Sequence, residues 1–188
     1  MDLDQTNDVL DPEKGFRLSA KIAPYVNLKT SDEVFFKTEG GASAYLQLQP
    51  NHRLTLAAWA KAGAILGEDL SMIPVQKRFY LGGAGSIRGF AAKELSPNGT
   101  TGGVAKLEGG IELRRRFTPA LGGVAFIEAG QVYDDIKMPQ SNRWHAGAGL
   151  GLRYFSNFGP VRADIAIPIS QKSDWSDVEI LVGLGQAF

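Results

Sequence analysis

The sequence predicts an all-β protein, an antiparallel transmembrane β-barrel with eight strands in its 188 residues. Three observations favour this fold. Apolar and polar residues alternate with a period of two along most of the chain, which is typical of strands whose two faces meet different surroundings. Most of these segments approach or exceed the roughly 9 to 11 residues that a tilted strand needs to cross a bilayer. Short turns such as Thr118-Pro119 alternate with longer polar loops.

The alternation gives each predicted strand one apolar and one polar face. In the first strand Phe16, Leu18 and Ile22 share one face, whereas Arg17 and Lys21 share the other. A soluble β-sandwich would bury the apolar face against a second sheet. Strands longer than the usual five or six residues favour a barrel instead, with lipid on the apolar face and water on the polar face. The eight segments cover residues 16–23, 36–47, 53–62, 107–114, 121–133, 144–154, 161–169 and 178–188.

The composition limits the classes of function. The 20 basic and 20 acidic residues give zero net charge, so charge gives no reason to expect a nucleic-acid partner. The absence of cysteine excludes disulfides, thiolate metal sites and a cysteine nucleophile. The histidines are too few and too widely separated for a metal site, and we expect no cofactor. No run of residues approaches the roughly 18 to 20 apolar residues of a spanning helix.

Residues 67–101 form a long loop between the third and fourth predicted strands. A connection of about 35 residues without regular structure is uncommon and is usually functional or disordered. This one contains Gly82 and Gly83 and then Ile87-Arg88-Gly89-Phe90. Glycine permits positive φ and close backbone approach, and the Arg88 guanidinium is a planar cation with five donors. We therefore expect a loop that packs against another part of the protein, with Arg88 as its anchor.

The motifs of this chain, taken together and in order, resemble the BamA and TamA superfamily of outer-membrane protein-assembly barrels. The resemblance covers essentially the whole chain and is greatest to the C-terminal half of a TamA barrel. As a set the motifs are specific, although a single Gly-Gly or Arg-Gly match would carry no weight. The matching segments are Leu10-Asp11-Pro12-Glu13-Lys14-Gly15, Tyr80-Leu81-Gly82-Gly83, Ile87-Arg88-Gly89-Phe90, Phe126-Ile127-Glu128-Ala129-Gly130, Gly159-Pro160-Val161-Arg162-Ala163-Asp164 and Leu184-Gly185-Gln186-Ala187-Phe188.

The resemblance implies roles for particular residues. The loop would fold back into the lumen, where Arg88 would pair with Glu128, although Asp is usual at that position in the family. Glu128 has the parity of Phe126, so it faces the lumen. On the last strand, Phe188 would belong to a signal read by the insertion machinery, and Gly183 and Gly185 would weaken the packing of that strand. Simpler interpretations also stand: Arg88 as a solvated cation, Phe188 as an interfacial aromatic, and Glu112, Arg114, Glu128, Arg162 and Asp164 as lumen lining.

The family barrel has sixteen strands, so residues 1–188 would correspond to its last eight, without POTRA domains. The start of the sequence lacks a secretory signal, so the chain would be either a mature protein with an added Met1 or a fragment of a longer protein, and we expect the fragment. A closed barrel of eight strands is filled by its own side chains and would expel the loop, separating Arg88 from Glu128. If the loop instead stays inside, either two chains form a homodimeric ring or an N-terminal half completes the barrel.

The resemblance implies a protein that is not an enzyme and that lies in the bacterial outer membrane. It would form part of a TamA-like translocation and assembly module that inserts autotransporters and other outer-membrane proteins through a lateral seam. Its partners would be outer-membrane lipid and unfolded outer-membrane protein clients. Two alternatives are a passive channel or secretion pore and the membrane anchor of a patatin-like surface lipase. A hydrolase site built from His145 and Asp164 is a further alternative, but no strained nucleophile motif accompanies it.

Overall fold

The computed structural model describes residues 1–26, 34–49, 54–137, 144–156, 159–170 and 177–188. These residues form one antiparallel sheet in which each strand pairs with the next along the chain. No helix in these ranges is long and apolar enough to span a membrane. The strands are β1 (Asp2–Asp4), β2 (Gly15–Val26), β3 (Val34–Gln47), β4 (Leu54–Leu66), β5 (Ala105–Arg116), β6 (Leu121–Tyr133), β7 (His145–Ser156), β8 (Gly159–Pro168) and β9 (Glu179–Leu184).

The predicted antiparallel β architecture is confirmed, and each of the eight predicted segments corresponds to one of the strands β2 to β9. One further strand, β1, was not predicted, because three residues are too few to show an alternation. It pairs with β2 through Asp2↔Ser19 and Asp4↔Arg17. Within the described residues β1 and β9 do not pair with each other, so the sheet is open rather than a closed ring of eight strands.

The last strand is shorter than predicted. The alternation predicts a strand over 178–188, but β9 ends at Leu184. The N–H of Gly185 still donates to the carbonyl of Pro160 at 2.7 Å, but its φ is +80°, a left-handed conformation that glycine adopts without strain and that ends the strand. The chain therefore turns away from the sheet edge, and the prediction that Phe188 lies in the last strand is wrong.

One face of the sheet is apolar and exposed, and we call it the outer face. Ile111 on β5, Ile127 on β6 and Leu150 on β7 are exposed by half or more, although each is a large hydrophobic side chain. Large apolar surfaces of this kind mark contact with a membrane or another protein. The opposite, inner face carries every charged residue of β2 to β9 that the structure describes except Arg115, and it includes Glu128 with the parity that the sequence predicts.

The loop between β4 and β5, residues 67–104, lies on the inner face. It contains a single-turn 3-10 helix, Val75–Lys77, and two short backbone pairings, Phe79↔Gly103 and Leu81↔Leu95. Its apolar side chains pack against those of β3, β4 and β6, and burial of each contributes roughly 1.5 to 3 kcal/mol. This cluster consists of Phe35, Ile65, Ile73, Phe79, Leu81, Ile87, Phe90, Leu95, Val104 and Val132.

The two ends of the sheet approach each other at the end that carries the short turns. Asp11, between β1 and β2, accepts a hydrogen bond from Arg116 at the end of β5 and another from Gln186, after β9, at 2.7 Å. These contacts can form only if the sheet curls around its inner face. The curled, open sheet leaves space for the loop, so the loop is not expelled as a closed eight-stranded barrel would require.

Candidate functional site

The turn of the loop presents Arg88 to the inner face of the sheet. The N–H of Gly83 donates to the carbonyl of Phe90 at 2.9 Å, and this closes the segment that contains Arg88. Gly82 and Gly89 have φ of +105° and +95°, which side chains rarely tolerate. A Cβ on Gly89 would also lie 2.7 Å from the carbonyl of Ile167 on β8. Glycine is thus required here both for the turn and for close contact with the sheet.

Arg88 binds Glu128 through its side chain and its backbone. Nε donates to Oε1 of Glu128 at 3.0 Å, Nη2 donates to the same oxygen at 2.5 Å, and the backbone N–H donates to Oε2 at 2.8 Å. Both side chains are buried. Because both carboxylate oxygens are used, this contact fixes the position of the loop backbone as well as that of the guanidinium.

Arg88 also contacts two further carboxylates, from two further strands. Nη2 donates to Glu112 on β5 at 2.5 Å, and Nη1 donates to Asp164 on β8 at 2.9 Å. The guanidinium carbon lies 3.4 Å from the ring centroid of Phe126 on β6, in a cation–π contact. We call Arg88, Glu112, Phe126, Glu128 and Asp164 the Arg88 network. It joins the loop to three strands at one point.

Other arginines share the carboxylates of the Arg88 network. Arg114 donates to Glu112 at 2.8 Å, and Arg153 donates to Asp164 at 2.5 Å. Nη1 of Arg162 lies 3.9 Å from Oδ2 of Asp164.

Arg88 stays charged although it is buried. Burial lowers the pKa of Arg88, but the hydrogen bonds and charges of Glu128 and Glu112 outweigh this effect, so the net pKa is raised. Loss of one partner would leave a buried charge uncompensated, and this typically lowers the free energy of unfolding by about 3 to 5 kcal/mol.

Alternate glycines on β7 make room for the Arg88 network. Gly147, Gly149 and Gly151 face the same side of the sheet, opposite the Glu128, Phe126 and Val124 positions of β6. A Cβ on Gly147 would overlap the carbonyl oxygen of Arg88, and one on Gly151 would overlap Asp164. Over residues 147–151 the inner face of β7 is therefore bare backbone, against which the loop and the neighbouring side chains lie directly.

A second set of contacts holds the loop on β3, β4 and β5. The ring of Phe79 lies 4.2 Å from the ammonium of Lys37 and 5.5 Å from that of Lys106. Gly63 on β4 leaves space for this ring, since a Cβ there would be 2.6 Å from Phe79 Cζ. Nearer the turn, Ser86 donates to Glu108 at 2.5 Å. The loop is thus attached to the sheet at separate points along its length.

The tail, residues 185–188, also crosses the inner face. The ring of Phe188 stacks on Tyr45 at 6.1 Å and lies 5.7 Å from the ring of Trp59. Arg114 lies 4.9 Å from the same ring. Gln186 accepts a hydrogen bond from Arg153 at 3.1 Å. Phe188 is therefore not an interfacial aromatic on the outer face, and its placement does not resemble a strand residue available for pairing.

The structure brings most of the predicted site residues together and separates the others. Ile87, Phe90, Gly82 and Gly83 belong to the buried loop around Arg88. Gly183 pairs with Arg162 inside β9, where a Cβ would lie 3.0 Å from Arg162 Nε. Gly185 and Phe188 lie beyond the strand. The structure argues against the hydrolase alternative, because Arg88 and Arg153 bind both carboxylate oxygens of Asp164, the proposed acid of that site.

The sequence predicts Glu112 and Asp164 only as lumen lining, whereas the structure places both on Arg88. The sequence does predict that both side chains lie on the polar faces of their strands. It does not predict that they meet at Arg88, because that depends on the curl of the sheet. The signal of a close contact in the sequence is the alternation of glycines at 147, 149 and 151.

Comparisons with known proteins point to one family. A family model described as the Omp85 superfamily domain matches residues 1–188. The chain is 31% identical over 151 residues to the outer membrane protein assembly factor BamA of Nitratidesulfovibrio vulgaris, covering 76% of this chain and 19% of that protein. It is 27% identical over 197 residues to the sorting and assembly machinery component 50 homolog B of Xenopus laevis, covering 92% and 41%. The chain thus spans less than half the length of these relatives.

A solved structure shows the same fold. The crystal structure of BamA from Haemophilus ducreyi lacking POTRA domains 1–3 superposes with a TM-score of 0.72 at 22% sequence identity. The match covers 96% of this chain and 39% of that chain. The open sheet of nine strands is therefore similar in fold to about two fifths of that chain.

Proposed function

Because the chain belongs to the Omp85 superfamily, we propose that it forms the part of an outer-membrane barrel that helps to insert β-barrel proteins. Assembly is what the names of the BamA and sorting and assembly machinery relatives describe. The observation that carries the proposal is the buried Arg88 network, which holds the long loop on the inner face. The exposed apolar outer face supports a location in lipid.

The mechanism that we propose is physical rather than chemical. The Arg88 network joins β5, β6 and β8 to the loop, so this part of the barrel moves as one body. β9 is held less firmly than β8, because β9 pairs with β8 over six residues and β8 pairs with β7 over ten. A seam beside β9 would then open sideways, and its exposed edge would template a client strand.

Within this function we propose a TamA-like bacterial module whose clients are autotransporters and other outer-membrane proteins. The resemblance of the motifs is the support for this narrower assignment. Further strands complete the ring, either from the same polypeptide or from a second copy in a homodimer. A passive pore is a weaker candidate, because the loop and the tail both occupy the inner face.

The test is an insertion assay with Arg88→Ala in the protein that carries this barrel, using an autotransporter and a second β-barrel client. We expect client insertion to fall at least about tenfold, as loss of more than 1.4 kcal/mol of loop attachment would produce. Lys93→Ala is the matched control, since it removes an exposed cation from the same loop. Barrel abundance in the membrane is measured in parallel.

Full client insertion by Arg88→Ala at normal abundance would show that the Arg88 network has no role in insertion. If both clients are unaffected but a single exported protein fails to cross the membrane, the pore alternative gains support. Loss of the autotransporter alone would favour the TamA-like assignment over a general insertase.

A further inference from the structure

The outer face of β2 to β9 carries a single charged residue in the part of the chain that the structure describes. This residue is Arg115, the second-last residue of β5. Its neighbours in the sheet are Leu54 on β4 and Gly123 on β6, and the preceding outer residue of its own strand is the exposed Leu113. A cation in such apolar surroundings needs a partner from outside the chain.

The side chain of Arg115 is positioned by an aromatic ring. Phe117 is 54% exposed, and the Arg115 guanidinium lies 6.0 Å from its ring centroid. The ring lies against the sheet over Gly123, where a Cβ would be 2.9 Å from Phe117 Cζ. Among the described residues Arg115 has no carboxylate or carbonyl partner, so its five donors point into the surroundings of the outer face.

The position of Arg115 along the strand matches the edge of a bilayer. It lies beside the short turn between β5 and β6, and short turns of outer-membrane barrels face the periplasm. An arginine is costly on the lipid face at the middle of a bilayer and nearly without cost at its edge. Its long stem can stay in lipid while the guanidinium reaches the headgroups, and aromatic residues such as Phe117 are typical of the same level.

We propose that Arg115 and Phe117 form a binding site for the phosphate of a phospholipid headgroup, in the leaflet at the short-turn end of the barrel. The guanidinium would donate two parallel hydrogen bonds to phosphate oxygens, a geometry that arginine offers and lysine does not. The Phe117 ring would contact the glycerol and upper acyl chain. This proposal depends on the membrane location that the proposed function assigns to the chain.

The experiment is native mass spectrometry of the full chain in detergent with phosphatidylglycerol, and with a diacylglycerol of the same acyl chains. We expect Arg115→Gln to bind phosphatidylglycerol about five-fold more weakly, which corresponds to about 1 kcal/mol for one basic residue at a membrane surface. Arg115→Lys should recover part of the loss. Lys93→Gln, which removes an exposed cation of the loop rather than of the outer face, should bind like the unaltered chain. Diacylglycerol binding should be the same for every variant.

Equal phosphatidylglycerol binding by Arg115→Gln and the unaltered chain would overturn the proposal. So would displacement of the lipid by inorganic phosphate, because the site would then take the free ion rather than a headgroup. Flotation with phosphatidylglycerol vesicles separates this failure from that of the proposed function. A chain that floats but shows no Arg115 effect refutes the lipid site alone, whereas a chain that does not float refutes the membrane location.

Discussion

At Arg88 one guanidinium faces carboxylates from three strands, and the ring of Phe126 lies beneath it. A buried cation of this kind is stable only when it is paired, and two of its three acids, Glu112 and Asp164, are in turn paired with Arg114 and Arg153. The sequence allowed prediction of the contact between Arg88 and Glu128 through the family resemblance and the parity of β6. It did not allow prediction of Asp164 as a partner, because 76 residues separate it from Arg88 and only the curl of the sheet brings them together.

Gly147→Ala tests how closely the loop lies against β7. The added Cβ would overlap the carbonyl oxygen of Arg88, so the loop has to move away. We expect the free energy of unfolding to fall by about 1 to 3 kcal/mol, as for other overpacked sites, in a urea titration in detergent. Gly40→Ala on β3 is the control, since its Cβ would find only the Ser19 carbonyl, at 3.8 Å. Equal unfolding midpoints for the two variants would contradict this packing.

Among the elements, the interior strands were predictable and the ends were not. β6 runs from Leu121 to Tyr133, as the alternation predicts, because a strand with one lipid-facing side shows its pattern along its whole length. β1 escaped prediction because it is only Asp2–Asp4, and β9 was predicted too long because Gly185 in a left-handed conformation redirects the chain. The first error lies where a strand is too short to show a period, and the second lies where local backbone geometry overrides side-chain periodicity.

Phe188→Ala tests the placement of the tail on the inner face. Loss of the ring beside Trp59 should expose the indole to water, so its fluorescence emission should shift to longer wavelength. The measurement uses a chain with Trp144→Phe and Trp175→Phe, so that only Trp59 emits. Leu184→Ala, an exposed residue of the outer face, is the control. An unchanged spectrum for Phe188→Ala would place the tail elsewhere.

For the whole molecule, the loop on the inner face and the exposed outer face divide the protein into two environments. The outer face meets lipid in the proposed function, and the inner face is occupied by the Arg88 network, the loop and the tail. The sequence indicated this division through its alternation and its family motifs. It could not indicate that an open sheet keeps the loop inside, because the space available depends on how the sheet curls and not on any local pattern.

The central claim is that the Arg88 network fixes the loop to the sheet, and hydrogen exchange of the loop amides tests it most directly. The variant is Arg88→Lys, which keeps the charge but cannot contact Glu128, Glu112 and Asp164 together. We predict that amides of residues 82–90 exchange at least about tenfold faster, while those of β5 and β6 keep their protection. Unchanged exchange across residues 82–90 would contradict the claim, because the loop would then be held without the guanidinium contacts.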